Sequence, residues 1–171
     1  MQFKCKKYYR LLVLLLMIGG TVYSQDYERA IKVKGFPGLG VSYKHLTAFE
    51  KGYELSIHTT DEWDSFTYLR IFQLPAFPKI SNKWFLCYGY GAHVSRYRSF
   101  SIYNPFKPFD APRKYQRPFV SPGFDGLIGF EYRMLKNPFV VSVDINTNFE
   151  FFGPDYFRVN SYNTVGFAYV F

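Results

Sequence analysis

The strongest constraint on the fold is a strict two-residue alternation in the second half of the chain. From residue 139 to 151, every odd position is apolar or threonine, and the even positions after Val140 are all polar. Because successive side chains of a strand point to opposite faces, this pattern predicts one long strand with an apolar face and a polar face. Its length exceeds the ~9–11 residues that cross a membrane at a tilt.

Seven further segments show a similar alternation and are separated by turn residues. They are 30–35, 38–46, 52–59, 66–74, 84–95, 120–133 and 161–171. The run 66–74 alternates less clearly, and there we expect Leu69 and Ile71 to face outward and Arg70 inward. Because no helical period appears after Gln25, the sequence predicts an all-β chain of eight antiparallel strands.

The aromatic content decides which face of these strands points outward. Aromatic residues make up 22% of the chain, with 16 Tyr and 20 Phe. An eight-stranded barrel has an interior just wide enough for side chains, so the large rings belong outside and the glycines and short polar residues inside. Lipid offers no hydrogen-bond partners for the backbone groups of an open sheet edge, so a sheet that spans the membrane must close on itself. We therefore predict an eight-stranded antiparallel up-and-down transmembrane β-barrel, with a soluble lipocalin-like barrel as the alternative.

The first 24 residues have the features of a secretory signal peptide. Four basic residues precede the unbroken apolar run 11–18, and small residues follow it. We expect cleavage of residues 1–24, which leaves a barrel domain at 25–171 in the bacterial outer membrane. Cleavage would remove four of the 21 basic residues and none of the 13 acidic ones, so the formal charge falls from +8 to +4. The basic composition is therefore a weak argument for binding nucleic acid, and we expect no such partner.

The lengths of the connections predict which end of the barrel faces outward. If the first strand runs outward, the periplasmic turns are 47–51, 75–83 and 134–138, and the outer loops are 36–37, 60–65, 99–118 and 151–160. Outer-membrane barrels have short periplasmic turns and longer outer loops, in agreement with this assignment. Basic residues in and before loop 99–118 are candidates for contact with lipopolysaccharide phosphates. They are Arg96, Arg98, Lys107, Arg113, Lys114 and Arg117. The alternatives are a surface for a protein partner and a loop folded on its own aromatic residues.

The polar faces of the strands predict an interior rich in charge. The predicted inner residues are Lys44, Glu54, His58, Arg70, His93, Asp125, Glu131, Arg133 and Asp144. Charges in a narrow tube are costly unless they are paired, so we expect a salt-bridged network that closes the pore.

Two other uses of these inner residues remain open. His58 or His93, with Asp125 or Asp144, could activate a serine in a lipid-modifying enzyme. The serine candidates are Ser56, Ser95 and Ser142. The barrel could also be a narrow pore. Cys87 is the only cysteine after residue 24, and no metal-ligand spacing occurs, so the sequence predicts no disulfide, metal or cofactor.

The final predicted strand ends in three outward aromatic residues, Phe167, Tyr169 and Phe171. This ending resembles the C-terminal signal of outer-membrane barrels, which the bacterial barrel-assembly machinery recognises. We therefore expect that machinery to be a partner during insertion.

Glycine-rich elements elsewhere extend this resemblance. Residues 38–44, 84–93, 123–132 and 141–144, together with the Phe171 ending, resemble small outer-membrane β-barrel proteins of the Bacteroidetes type, with OmpA/OmpX-like eight-stranded barrels. The resemblance implies a fold and an outer-membrane location and no particular reaction. We therefore expect a non-catalytic structural or interaction protein whose partners are outer-membrane lipid, lipopolysaccharide and an envelope protein complex.

Overall fold

The structure is a computed structural model that describes residues 27–48, 50–102, 113–115, 117–134, 136–151 and 157–171. The side chains of 100–102 and 113–115 are not described. The predicted signal peptide at 1–24 and the loop candidate Lys107 lie outside the described residues, and Arg113 and Lys114 are described by their backbone alone. No helix among these residues is long and apolar enough to cross a membrane.

Ten strands contain most of the described residues. They are β1 (Arg29–Gly35), β2 (Leu39–Ala48), β3 (Lys51–Thr59), β4 (Trp63–Pro75), β5 (Trp84–Tyr97), β6 (Phe100–Ile102), β7 (Arg113–Tyr115), β8 (Phe119–Arg133), β9 (Phe139–Phe151) and β10 (Phe157–Val170). Eight of them form a closed barrel in the order β1-β10-β9-β8-β5-β4-β3-β2, and every pair is antiparallel. The predicted eight-stranded antiparallel barrel is confirmed.

Several loop predictions need adjustment. The predicted loop 60–65 is shorter than expected because β4 begins at Trp63. Strand β10 begins at Phe157, within the predicted loop 151–160. The long segment 99–118 contains a separate two-stranded sheet, β6–β7. The turn between β1 and β2 is tight, with Phe36 at φ 58° and Gly38 at φ 76°.

The barrel wall is uneven in height around its circumference. Six residue pairs join β1 to β10, from Ala30↔Val170 to Gly35↔Val165, whereas thirteen pairs join β10 to β9. The part of β10 from Phe157 to Thr164 therefore extends past the end of β1. At about 3.3 Å per residue and a tilt of about 40°, the seven residues of β1 rise about 18 Å and the fourteen of β5 about 35 Å.

The outside of the barrel is apolar and the inside is largely polar. Along β9, Val143 and Ile145 are about half exposed, whereas Asp144 and Ser142 are buried. The same alternation holds on β8, where Phe124 is 63% exposed and Asp125 is 8% exposed. A soluble protein places its apolar side chains in the core, so this barrel has the reverse arrangement.

One strand has its faces opposite to our expectation. Leu69 and Ile71 are 2% and 1% exposed and lie inside the barrel, where they contact Leu127 of β8. Arg70 lies on the outer face. The prediction for these three residues was wrong because β4 carries apolar residues on both faces, so alternation alone could not orient it.

Candidate functional site

The interior of the barrel holds a dense network of charged side chains centred on Glu131. Its Oε1 accepts a hydrogen bond from Lys44 Nζ at 2.7 Å and lies 3.4 Å from Lys32 Nζ. All three residues are at most 2% exposed. Glu131 is on β8, whereas Lys44 and Lys32 are on the adjacent strands β2 and β1. Because β8 is not a neighbour of β1 or β2, both ion pairs of Glu131 cross the lumen.

Lys32 links this centre to the next layer of charges. Its Nζ lies 3.5 Å from Asp144 Oδ2 and 3.8 Å from Glu54 Oε2. Glu54 also pairs with Lys34, with Nζ and Oε1 2.5 Å apart. Cations and carboxylates therefore alternate along the lumen, which offsets the cost of removing each of them from water.

One end of the lumen is closed by aromatic and cationic side chains. The Tyr27 hydroxyl donates to Glu131 Oε2 at 3.0 Å, and the Arg133 guanidinium lies 4.7 Å from the Tyr27 ring centre and 3.5 Å from that of Phe85. Tyr27 precedes β1, and its burial together with the nearby Glu131 carboxylate raises the pKa of the phenol. The hydroxyl therefore stays protonated and acts as a hydrogen-bond donor.

A second cluster lies towards the other end of the lumen and is built around His93. Its Nδ1 is 2.8 Å from Asp125 Oδ1, and its Nε2 is 3.4 Å from Glu150 Oε1. Glu150 also accepts hydrogen bonds from the Tyr97 hydroxyl and, at 2.8 Å, from Arg158 NH2. Both nitrogens of the His93 ring therefore face carboxylates, an arrangement that suits an imidazolium bound between two acids.

His58 is placed differently from His93. Its Nε2 forms a hydrogen bond with the Pro37 carbonyl oxygen, and its ring stacks on Trp63 at 5.2 Å. Tyr162, from the part of β10 that extends past β1, packs on both rings at 5.8 and 5.6 Å. The three rings thus cover the side of the barrel where β1 is short.

The described inner residues are closely packed around one small cavity. A residual cavity among Lys34, His58, Asp125 and Tyr162 has room for about one water molecule. Glycines make the close packing possible: a Cβ at Gly123 would lie 2.5 Å from His93 Cε1, and one at Gly129 would lie 2.3 Å from Asp144 Oδ1. Within the described residues, no group of three or more His, Cys, Asp or Glu side chains is suited to hold a metal ion.

The predicted inner residues can now be placed one by one. Eight of the nine lie buried inside the barrel; they are Lys44, Glu54, His58, His93, Asp125, Glu131, Arg133 and Asp144. Arg70 is the exception. Sequence reasoning missed Lys32, Lys34, Tyr27, Tyr97 and Arg158 as members of the network. The two lysines could have been found, because Ala30, Lys32 and Lys34 alternate with Ile31 and Val33.

The basic residues of the outer rim differ in their availability. Arg98 is held by both carboxylate oxygens of Asp64, at 2.6 and 2.7 Å, and donates to the Thr60 carbonyl at 2.9 Å. Arg96 and Arg117 are exposed.

The predicted assembly-signal residues face outward: Phe167 stacks on Phe139 at 5.1 Å, and Tyr169 on Phe171 at 6.2 Å.

Comparison with known proteins supports the fold. No protein-family model and no curated protein matches the sequence. The barrel is similar to the crystal structure of the N-terminal β-barrel domain of Pseudomonas aeruginosa OprF, with a TM-score of 0.52 and 11% identity, covering 84% of this chain and 95% of that one. It is also similar to Neisserial surface protein A (NspA), with a TM-score of 0.53 and 13% identity, covering 84% of this chain and 93% of that one.

Proposed function

We propose that this chain is a non-catalytic integral outer-membrane barrel with a structural or interaction role. The observation that carries the proposal is the reversed distribution of polarity, with exposed apolar side chains around the wall and paired charges inside. Lipid is the solvent that stabilises such a wall. The similarity in fold to OprF and NspA supports the same location. The proposal includes cleavage of a signal peptide at 1–24 and a relationship to the Bacteroidetes barrels. It also includes recognition of Phe167, Tyr169 and Phe171 by the assembly machinery.

The packing of the interior favours a plugged barrel over a pore. Arg133, Phe85 and Tyr27 fill one end, and the Lys44–Glu131 pair crosses the lumen directly behind them. A hydrated ion needs a continuous water-filled path, whereas the cavity further along has room for about one water molecule. A plugged barrel gives no stable conductance steps in a planar bilayer.

The surroundings of the two histidines favour a non-catalytic protein. A histidine that activates a serine needs a ring nitrogen placed to accept the proton of that hydroxyl. Asp125 and Glu150 face the two nitrogens of His93, and Nε2 of His58 is bonded to the Pro37 carbonyl. Of the candidate serines, Ser142 donates to Asp144, and the Ser95 hydroxyl has no hydrogen-bond partner among the described residues. We therefore expect lipid A to be unchanged in cells that carry His58→Ala or His93→Ala, compared with wild-type cells.

Outer-rim cations remain our candidates for contact with lipopolysaccharide. Arg96 and Arg117 are exposed near the ends of β5 and β8, and Lys107, Arg113 and Lys114 belong to the same loop in sequence. Arg98 is a weaker candidate, because its guanidinium is already bound to Asp64. A guanidinium that is free of such a pair can form a bidentate contact with phosphate.

Heat-modifiability of the protein extracted from the outer-membrane fraction tests the proposed function. A closed barrel resists dodecyl sulfate at room temperature, so we expect the unboiled band to migrate faster than the boiled one. Recovery of the protein in the soluble periplasmic fraction, with no shift between the two samples, would contradict a membrane barrel. Alkaline extraction of the membranes provides the control for peripheral attachment.

A further inference from the structure

Arg70 is a charged residue on the outer wall of the barrel, at a height where the other described outward residues are uncharged. Arg70 is the eighth of the thirteen residues of β4, and it points outward. At about 3.3 Å per residue and a tilt of about 40°, it lies about 13 Å from the Pro75 end and about 18 Å from the Trp63 end of its strand. The apolar band of such barrels is about 25 Å tall, so Arg70 falls near its middle.

Nothing in the described part of the chain neutralises this cation. Among those residues, no carboxylate forms an ion pair with Arg70, and the acidic Asp64 on the same face of β4 is bound to Arg98. The outward positions in the middle of the described barrel strands hold no Asp or Glu. A charge at the bilayer centre is expensive, and such residues usually pair with another group or mark a functional site.

The residues around Arg70 are aromatic. Its cross-strand partners are Tyr53 on β3 and Tyr90 on β5, and Tyr90 is 64% exposed. Tyr68 stacks on Tyr53 at 6.3 Å, and Phe72 lies 5.3 Å from Tyr88 and 6.0 Å from Tyr90. The group Tyr53, Tyr68, Arg70, Phe72, Tyr88 and Tyr90 is called the Tyr–Arg patch below.

The opposite side of the barrel is built differently. β10 lies across the barrel from β4, and its outward residues at comparable depth are Val165 and Phe167. Neither side chain has a polar group. Tyrosine and arginine dominate the energetic centres of protein interfaces, because they combine a large contact area with a polar group that needs a partner. Tyrosine hydroxyls in the middle of a bilayer also lack the water that they contact at its surfaces.

We propose that the Tyr–Arg patch is the docking surface for a second membrane-embedded protein that presents an aspartate or glutamate to Arg70. An anion would offset the cost of a charge at the depth of Arg70, and lipid phosphates lie at the membrane surfaces rather than near its centre. A second copy of this chain offers no such anion at this depth among its described residues, because the outward Asp64 lies at the end of β4 and is bound to Arg98. The inference rests on the proposed outer-membrane location and specifies where an envelope partner binds.

Crosslinking in intact outer membranes tests this surface. A photoreactive benzoylphenylalanine replaces Tyr68 within the patch or, as the matched control, Phe167 on the opposite wall. We expect one adduct of discrete mass from the Tyr68 position and none from Phe167. Combining the Tyr68 probe with Arg70→Gln should lower the adduct yield by tenfold or more.

A second reaction tests the carboxylate itself. Arg70→Lys keeps the charge and supplies an amine, which an apolar carbodiimide joins to a nearby carboxyl group with loss of water. We expect this variant to give an amide to an Asp or Glu in a membrane-spanning segment of the partner, as mapped by mass spectrometry. Wild-type Arg70, which has no amine, should give none.

Several results would overturn the proposal. Adducts to lipid alone, adducts to a second copy, equal yields in Arg70→Gln, or no carbodiimide product from Arg70→Lys would each contradict it. Every variant is first checked for the heat-shifted band in the outer-membrane fraction. A missing shift in the wild-type protein contradicts the proposed location, whereas a normal shift without adducts contradicts the docking surface alone.

Discussion

The interior around Lys44 and the outer wall around Arg70 surround a cation at similar depth in opposite ways. Lys44 lies four residues from the end of β2, and Arg70 five residues from the end of β4. Lys44 contacts Glu131 at 2.7 Å and Gln73 at 3.4 Å. Arg70 lies opposite Tyr53 on β3 and Tyr90 on β5, and no carboxylate among the described residues pairs with it. A charge satisfied within its own chain stabilises the fold, whereas a charge left for another molecule marks a binding surface.

Removing the central carboxylate should have the largest effect on stability. Glu131→Gln leaves Lys44 and Lys32 without their shared acid in the lumen. Breaking a buried pair in this way costs about 3–5 kcal/mol in the free energy of unfolding. Urea titration of the barrel in lipid vesicles, followed by tryptophan fluorescence, measures the loss. The double variant Glu131→Gln, Lys44→Met should recover part of it, and no recovery would contradict the pairing.

The same measurement should show a change of opposite sign at Arg70. In vesicles without a partner, Arg70→Leu removes a charge from the lipid-facing wall and should raise the free energy of unfolding by about 2–4 kcal/mol. Arg96→Leu, at the outer end of β5, is the control and should change it little, since a charge near the membrane surface costs about 0–1 kcal/mol. A loss of stability in Arg70→Leu would mean that Arg70 already has a partner within the chain.

A pair of glycine substitutions compares the two faces without changing charge. Gly129→Ala places a Cβ 2.3 Å from Asp144 Oδ1 and 2.7 Å from the Val143 carbonyl oxygen, so overpacking should cost about 1–3 kcal/mol. Gly126 is on the outer face of the same strand, with nothing within 4 Å of its Cβ position, and Gly126→Ala should be close to neutral. Equal effects of the two substitutions would show that the lumen is not tightly packed.

The smallest effect should come from the rim pair Arg98–Asp64. Its side chains are 50% and 36% exposed, and exposed ion pairs contribute about 0–1 kcal/mol. Asp64→Asn should therefore lower the free energy of unfolding by less than about 1 kcal/mol, and the difference from wild type should shrink as salt rises and screens the pair. An effect as large as that of Glu131→Gln would contradict the distinction between rim and lumen.

The sequence predicted the fold better than it predicted the partners of each charge. Strand β9 was predicted with the bounds that the structure has, because Phe139 to Phe151 is apolar on one face and polar on the other. Strand β4 was oriented wrongly because Leu69 and Ile71 make its inner face apolar as well. Pairs such as Lys32–Asp144 and Tyr27–Glu131 depend on register around the whole barrel, which alternation within single strands does not determine.

The ion pairs of Lys32 are completed only when the barrel closes. Its three carboxylate partners come from β3, β8 and β9, and Glu131 is 99 residues away in sequence. Contacts between distant parts of a chain form only after the entropy of closing the intervening loop has been lost. Before β1 and β10 are joined, Glu54 lies only two strands from Lys32, whereas Glu131 and Asp144 belong to the other end of the open sheet. Closing the barrel therefore brings Lys32 the last two of its three carboxylates, and the charges inside the lumen are balanced only in the closed form.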